Sequence, residues 1–195
     1  MNAGAQSSAE PATGPAAVPS LHELLGYHDR LPLGWTLLES APADSQLAHW
    51  HDHNLRLLNA ATLLDERPRR AEPDEPVTAE IERLHHKMDL VLELLSALLS
   101  QSQPLPAAVA ARVTPAGVCW QGGALPAVGS RVLLRLHLHP GLPSPLLWPA
   151  RVQAPGEAVF QALGEACALE MERYVFVRHR RSVADARSPA GRELP

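Results

Sequence analysis

The chain has 195 residues, 46% hydrophobic but only 4% aromatic, so it can bury a core, and that core should be aliphatic. Its 19 prolines interrupt regular structure over much of the length, because proline lacks an amide donor and fixes φ. A formal net charge of −4 argues against a nucleic-acid binder, which ordinarily carries a basic excess.

Residues 1–20 are mostly Ala, Gly, Ser and Pro and predict a disordered tail, without the basic start and apolar segment of a secretory signal. Leu21 to Trp35 reads as short and turn-rich, punctuated by Pro32 and Gly34. Asp44 to Glu66 has neither proline nor glycine. Its apolar residues Leu47, Trp50, Leu57, Leu58, Ala61 and Leu64 fall mostly at helical spacing, with Asp44 as N-cap and Pro68 as stop. Arg67 to Pro76 is a charged, proline-bearing linker.

The strongest pattern follows. Ile81, Leu84, Met88, Val91, Leu95 and Leu98 recur at spacings 3, 4, 3, 4, 3, the a/d repeat of a coiled coil. Leu90, Leu92, Leu94 and Leu99 widen that band beyond a two-stranded seam. Leaving such leucines wet costs roughly 1.5–3 kcal/mol each relative to full burial. The helix is therefore expected to pack on several partners, other copies of the chain among them, and these six repeat residues are the predicted oligomerisation set.

Beyond Pro106 the period changes from helix to strand. Val109–Val113, Gly117–Gln121, Arg131–His139, Leu146–Gln153 and Glu157–Leu163 are strand candidates separated by turn residues. Short strands so closely spaced predict a small antiparallel barrel. Leu169 to about Arg187 reads as a closing helix. The predicted fold class is α+β: long N-terminal helices forming a coiled-coil-like stalk (21–103), then a small barrel with its C-terminal helix (104–187), between tails at 1–20 and 188–195.

No catalytic or metal constellation emerges. His49 and His53 share a helix face, but two histidines without a nearby cysteine or carboxylate read as surface residues, and His137 and His139 on one strand face read likewise. Cys119 and Cys167 are too few for a disulfide framework and read as free thiols of a cytoplasmic protein. Cys119, between Val118 and Trp120, reads as buried packing. Gly122-Gly123 is a turn, not a phosphate loop. No run reaches the ~18 apolar residues of a membrane helix, so no membrane insertion is expected. Arg178, His179, Arg180 and Arg181 read first as the solvated, dipole-matched end of a helix.

The order of these features resembles the atypical, tetrameric branch of the PilZ family. A leucine-rich helix (Arg83-Leu84-His85-His86-Lys87-Met88-Asp89-Leu90) is followed by short strands and then Glu172-Arg173-Tyr174-Val175-Phe176-Val177-Arg178-His179-Arg180-Arg181. The stretch Leu31-Pro32-Leu33-Gly34-Trp35 is similar to that branch as well. The resemblance implies a β-barrel closed by a C-terminal helix, tetrameric assembly, and a setting in cyclic di-GMP control of type IV pili, motility and virulence. Typical members bind the nucleotide with R-x-x-x-R and D/N-x-S-x-x-G motifs. Here the second aligns with Arg112 to Gly117, with Arg112 in place of Asp or Asn and Thr114 in place of Ser. No arginine lies between Arg83 and Arg112. A guanidinium stacks on guanine and grips phosphate bidentately, so its loss weakens the case for a receptor.

The expectation is thus a non-catalytic adaptor without a cofactor, its partners being itself and other signalling or pilus-assembly proteins. The alternative is a true cyclic di-GMP receptor with a non-standard set, Arg112, Thr114, Gly117, Arg178, Arg180 and Arg181. A metal protein or enzyme built on the histidines is the remote third.

Overall fold

The computed structural model describes residues 20–65, 80, 81, 83–88, 90, 91, 94, 105–142, 144–161 and 164–187. Apolar residues at alternate positions define six strands: β1 (Tyr27–Leu37), β2 (Ala108–Thr114), β3 (Gly117–Gln121), β4 (Arg131–Leu136), β5 (Leu146–Ala154) and β6 (Glu157–Phe160). They close into one antiparallel barrel in the order β1-β2-β3-β6-β5-β4. Among the described residues, three helical segments accompany them: α1 (Asp44–Asp65), α2 (helical at 80, 81, 83–88, 90, 91 and 94) and α3 (Glu165–Arg187).

The sequence placed the barrel after residue 104 and read 21–103 as helical. The structure corrects this, because β1 comes from residues 27–37, upstream of both α1 and α2. Pro32 and Gly34 predict turns in that stretch. Pro32 is tolerated because β1 changes neighbours there: Tyr27 to Pro32 pair with β2, and Leu33 to Leu37 pair with β4. The missing amide falls at the handover between two ladders. The fold is α+β as expected, but α1 is part of the barrel's own packing, not of a separate stalk.

Parity does the rest. Val109, Ala111 and Val113 of β2, Val118 and Trp120 of β3, Val132, Leu134 and Leu136 of β4, and Leu146, Trp148, Ala150 and Val152 of β5 all point inward. α1 contributes Leu57, Leu58 and Ala61 to the same cluster, and α3 contributes Cys167, Met171, Tyr174 and Val175. The core is not purely aliphatic, contrary to expectation. All the Trp, Tyr and Phe residues except Trp35 and Phe176 are buried. Trp148 stacks on Phe160 at 4.6 Å, and Tyr27 meets Tyr174 edge-on at 6.0 Å. Each such pair adds about 0.5–1.5 kcal/mol beyond its area.

α1 is fastened to the barrel by Asn54. Its buried amide donates to the Leu147 carbonyl (2.6 Å) and accepts from the Leu147 amide (2.8 Å). His53 Nε2 lies 2.9 Å from the Pro145 carbonyl oxygen, so it serves this joint. Smaller differences concern element ends. β4 stops at Leu136, although Leu138 stays buried, and α3 starts at Glu165, a turn before Leu169. The tails 1–19 and 188–195, the linker 66–79, and Leu95 and Leu98 lie outside the described residues. No described helix is long and apolar enough to cross a membrane.

Candidate functional site

Inward parity on one side of a barrel fixes what its outer face presents. On the β1-β2-β3-β6 side, His28, Arg112, Cys119 and Glu157 are consecutive cross-strand partners, so their side chains form one outward row. Arg30, Ala110 and Gln121 form the next. With His22, Asp29, Trp120 and the Pro155-Gly156 turn, these residues line a groove of about 590 Å³. Cys119 therefore faces outward and is half-buried, which corrects its reading as core packing; Val118 and Trp120 hold the inward positions. Its thiol pKa is raised above the ordinary value by burial and by the Glu157 carboxylate, against the pull of Arg112. That is the opposite of an activated nucleophile.

The motif-like stretch Arg112 to Gly117 builds the turn between β2 and β3. Thr114 is fully buried. Its Oγ1 donates to the Gly117 carbonyl (2.9 Å) and accepts from the Gly117 amide (3.1 Å). Gly117 must be glycine, since a Cβ there would run into the Ala158 carbonyl and the Leu21 side chain. Arg112 turns back onto the loop before β1 and donates to the carbonyls of Leu21, His22 and Leu24. Its guanidinium is engaged in holding that loop, which contains no arginine to act as the missing R-x-x-x-R.

A second groove, about 500 Å³, lies between β1, the residues after β4 and α3. Here Asp65, at the end of α1, accepts from Arg178 Nη1 (3.0 Å) and Arg181 Nη1 (2.8 Å) on one oxygen. Arg178 also pairs with Asp29 and lies 5.2 Å from the centre of the Tyr27 ring. Although burial disfavours the charged guanidinium, the surrounding Tyr174, Asp65, Tyr27 and Asp29 raise its pKa above the ordinary value. His139 lines the same groove.

The six candidate nucleotide residues thus divide. Arg112, Thr114 and Gly117 belong to the first groove and its turn, Arg178 and Arg181 to the second, and Arg180 lies over Phe176 in neither. The two grooves share a wall, Asp29 and Arg30. The sequence missed His28, Asp29, Arg30 and Asp65 as site residues. The alternation Tyr27, Leu31, Leu33 is a signal that His28 and Arg30 face outward; Asp29, on the inward parity, and Asp65 are revealed only by tertiary pairing with Arg178.

Of the predicted oligomerisation residues, four are described, and all are exposed: Ile81 49%, Leu84 62%, Met88 58% and Val91 50%. Leu90 and Leu94 are exposed beside them.

A closed barrel of six antiparallel strands, packed against α1 and α3 and carrying two grooves on its wall, defines the class of fold. The sequence profile of the atypical PilZ domain, a cyclic di-GMP receptor, matches residues 57–188, and the chain belongs to that family. Among solved structures it is similar to a pathogenic protein from Xanthomonas campestris, described as a new tetrameric PilZ domain self-assembled via an unusual helical bundle. The two share 23% identity over 84% of this chain and 92% of that one, with a TM-score of 0.64. No curated protein matches the chain in sequence.

Proposed function

We propose that this protein is a non-catalytic cytoplasmic adaptor in cyclic di-GMP signalling. It assembles as a tetramer through α2 and presents its barrels to other signalling or pilus-assembly proteins that control type IV pili, motility and virulence. The observation that carries the reading is the row of large apolar side chains left 49–62% exposed along α2. Each stands to gain about 1.5–3 kcal/mol on full burial, which a neighbouring copy can supply. The helical-bundle self-assembly of the Xanthomonas campestris neighbour supports the same mode. Several barrels on one bundle raise apparent affinity for a multivalent partner through effective concentration.

Arg112, Arg178 and Arg181 favour an adaptor over a receptor. Each guanidinium already has internal acceptors, and releasing it for a ligand forfeits charge-assisted hydrogen bonds worth about 1.5–3 kcal/mol each. The receptor reading keeps one observation in its favour: the first groove has room for a nucleotide beside His28, Arg30 and Arg112.

The test is calorimetric titration with cyclic di-GMP on protein whose mass has been fixed by light scattering. A tetramer with a flat titration is the expected result. Micromolar or tighter binding that disappears in Arg181→Ala or Arg112→Ala overturns the adaptor in favour of the receptor.

A further inference from the structure

We infer that His22, Cys119 and Glu157 form a binding site for a divalent transition-metal ion of the zinc type, at the rim of the first groove. One ligand atom from each residue lies within 4.8 Å of the other two. A tetrahedral zinc ion, about 2.0–2.3 Å from its ligands, holds them about 3.3–3.8 Å apart. A side-chain adjustment of about an ångström closes the site.

Three independent anchors bring the ligands together. Cys119 and Glu157 are direct cross-strand partners on β3 and β6, so their side chains leave the sheet on the same face. His22 arrives from the loop before β1, which Arg112 grips by three carbonyls and which is seated by the fully buried Leu21. Its Nε2 already lies 3.9 Å from the Glu157 carboxylate. Positions so far apart in the chain leave no spacing motif, which is why the sequence pointed to no metal.

The donor set also decides the kind of ion. A thiolate, an imidazole and a carboxylate together suit zinc, cobalt(II) or ferrous iron and disfavour calcium or magnesium. The thiolate and carboxylate carry two negative charges, which a divalent ion neutralises. Binding forms a metal–sulfur bond at Cys119, and the displaced thiol proton goes to solvent, so affinity rises with pH. All three residues line the groove, so a fourth coordination position is accessible to water or to a donor entering it. The ion would clip the loop ahead of β1 to β3 and β6.

Cobalt(II) tests this on the full-length protein, stripped with a chelator and kept reduced. The expected result is one equivalent per chain, with thiolate-to-cobalt charge transfer in the near ultraviolet and tetrahedral d–d bands, both removed by added zinc. The only other thiol, Cys167, is buried in the core, so Cys167→Ala should leave the spectrum unchanged. Cys119→Ala should abolish the charge-transfer band. Losing a group that merely hydrogen-bonds to a ligand weakens metal sites about 10–100-fold, so His22→Ala, which removes an exposed ligand itself, should weaken cobalt binding by at least about tenfold. Circular dichroism establishes that both variants fold. Absence of the thiolate band, its survival in Cys119→Ala, or unchanged affinity in His22→Ala overturns the site.

Discussion

Arg178 Nη1 donates to Asp65 Oδ1 at 3.0 Å, joining α3 to the last residue of α1 across the end of the barrel. Arg178 also reaches Asp29 on β1, and Arg181 shares the Asp65 oxygen, so three elements meet in one charge network. The Asp65 side chain is only 1% exposed. Removing one partner of a buried pair strands the other, at a cost of about 3–5 kcal/mol; the Arg181 contact that remains should hold Arg178→Ala nearer about 2–3 kcal/mol. Neutralising both sides, in Asp65→Asn with Arg178→Met, should recover much of the loss. Urea denaturation of the single and double variants measures this, and additive losses would rule out the network.

The buried hydroxyl of Thr114 gives a second, sharper test. It both donates to and accepts from the backbone of Gly117, so Thr114→Val removes two side-chain hydrogen bonds from a buried turn. Each such bond is worth about 0.5–1.5 kcal/mol. Thr114→Val should therefore be destabilising by about 1–3 kcal/mol, whereas Thr114→Ser should cost little more than its missing methyl. Equal midpoints for the two variants in urea would contradict this role.

Much of the barrel was legible in the sequence because alternation is local. β3 was read at its true bounds, and the inward faces of β4 and β5 follow from the positions of Val132, Leu134, Trp148 and Val152. β1 was not legible, because Pro32 and Gly34 resemble a turn until the change of neighbours at Pro32 is known. Cys119 between two apolar neighbours resembles core packing, but with Val118 and Trp120 inside, strand parity turns it outward. The site was harder. Arg178 and Arg181 looked like a solvated helix end because their partners, Asp29 and Asp65, lie more than a hundred residues away. Their charges are matched by carboxylates in place of a ligand or water, a distinction that chain position does not encode.

The bare face of α2 makes a prediction about mass. Leu84 and Val91 sit one heptad apart and are both exposed in the single chain. Leu84→Glu with Val91→Glu would place charges in any seam formed there, where desolvation of an unpaired carboxylate costs several kcal/mol. Dissociation to a lower-mass species is expected. The barrel core does not use these residues, so the thermal unfolding of the dissociated protein should stay cooperative. Unchanged mass by multi-angle light scattering would remove α2 from the interface.

His139 makes stability depend on pH in the mildly acidic range. Burial lowers its pKa from the ordinary 6.5, and Arg178 and Arg181 add to that lowering, while Asp65 opposes it. Its Nδ1 accepts a hydrogen bond from the Gly141 amide at 3.0 Å, which protonation at that nitrogen would abolish. The folded protein thus binds the His139 proton less readily than the unfolded chain does. The contribution is fully present above pH 6.5 and is lost as pH falls through the lower, folded-state pKa. His139→Asn keeps an acceptor near the Nδ1 position but does not titrate. Between about pH 8 and about pH 5, the urea midpoint of the unmodified protein should fall further than that of His139→Asn. Parallel curves would mean that the imidazole is protonated equally easily in both states, and that the Gly141 contact does not depend on its charge.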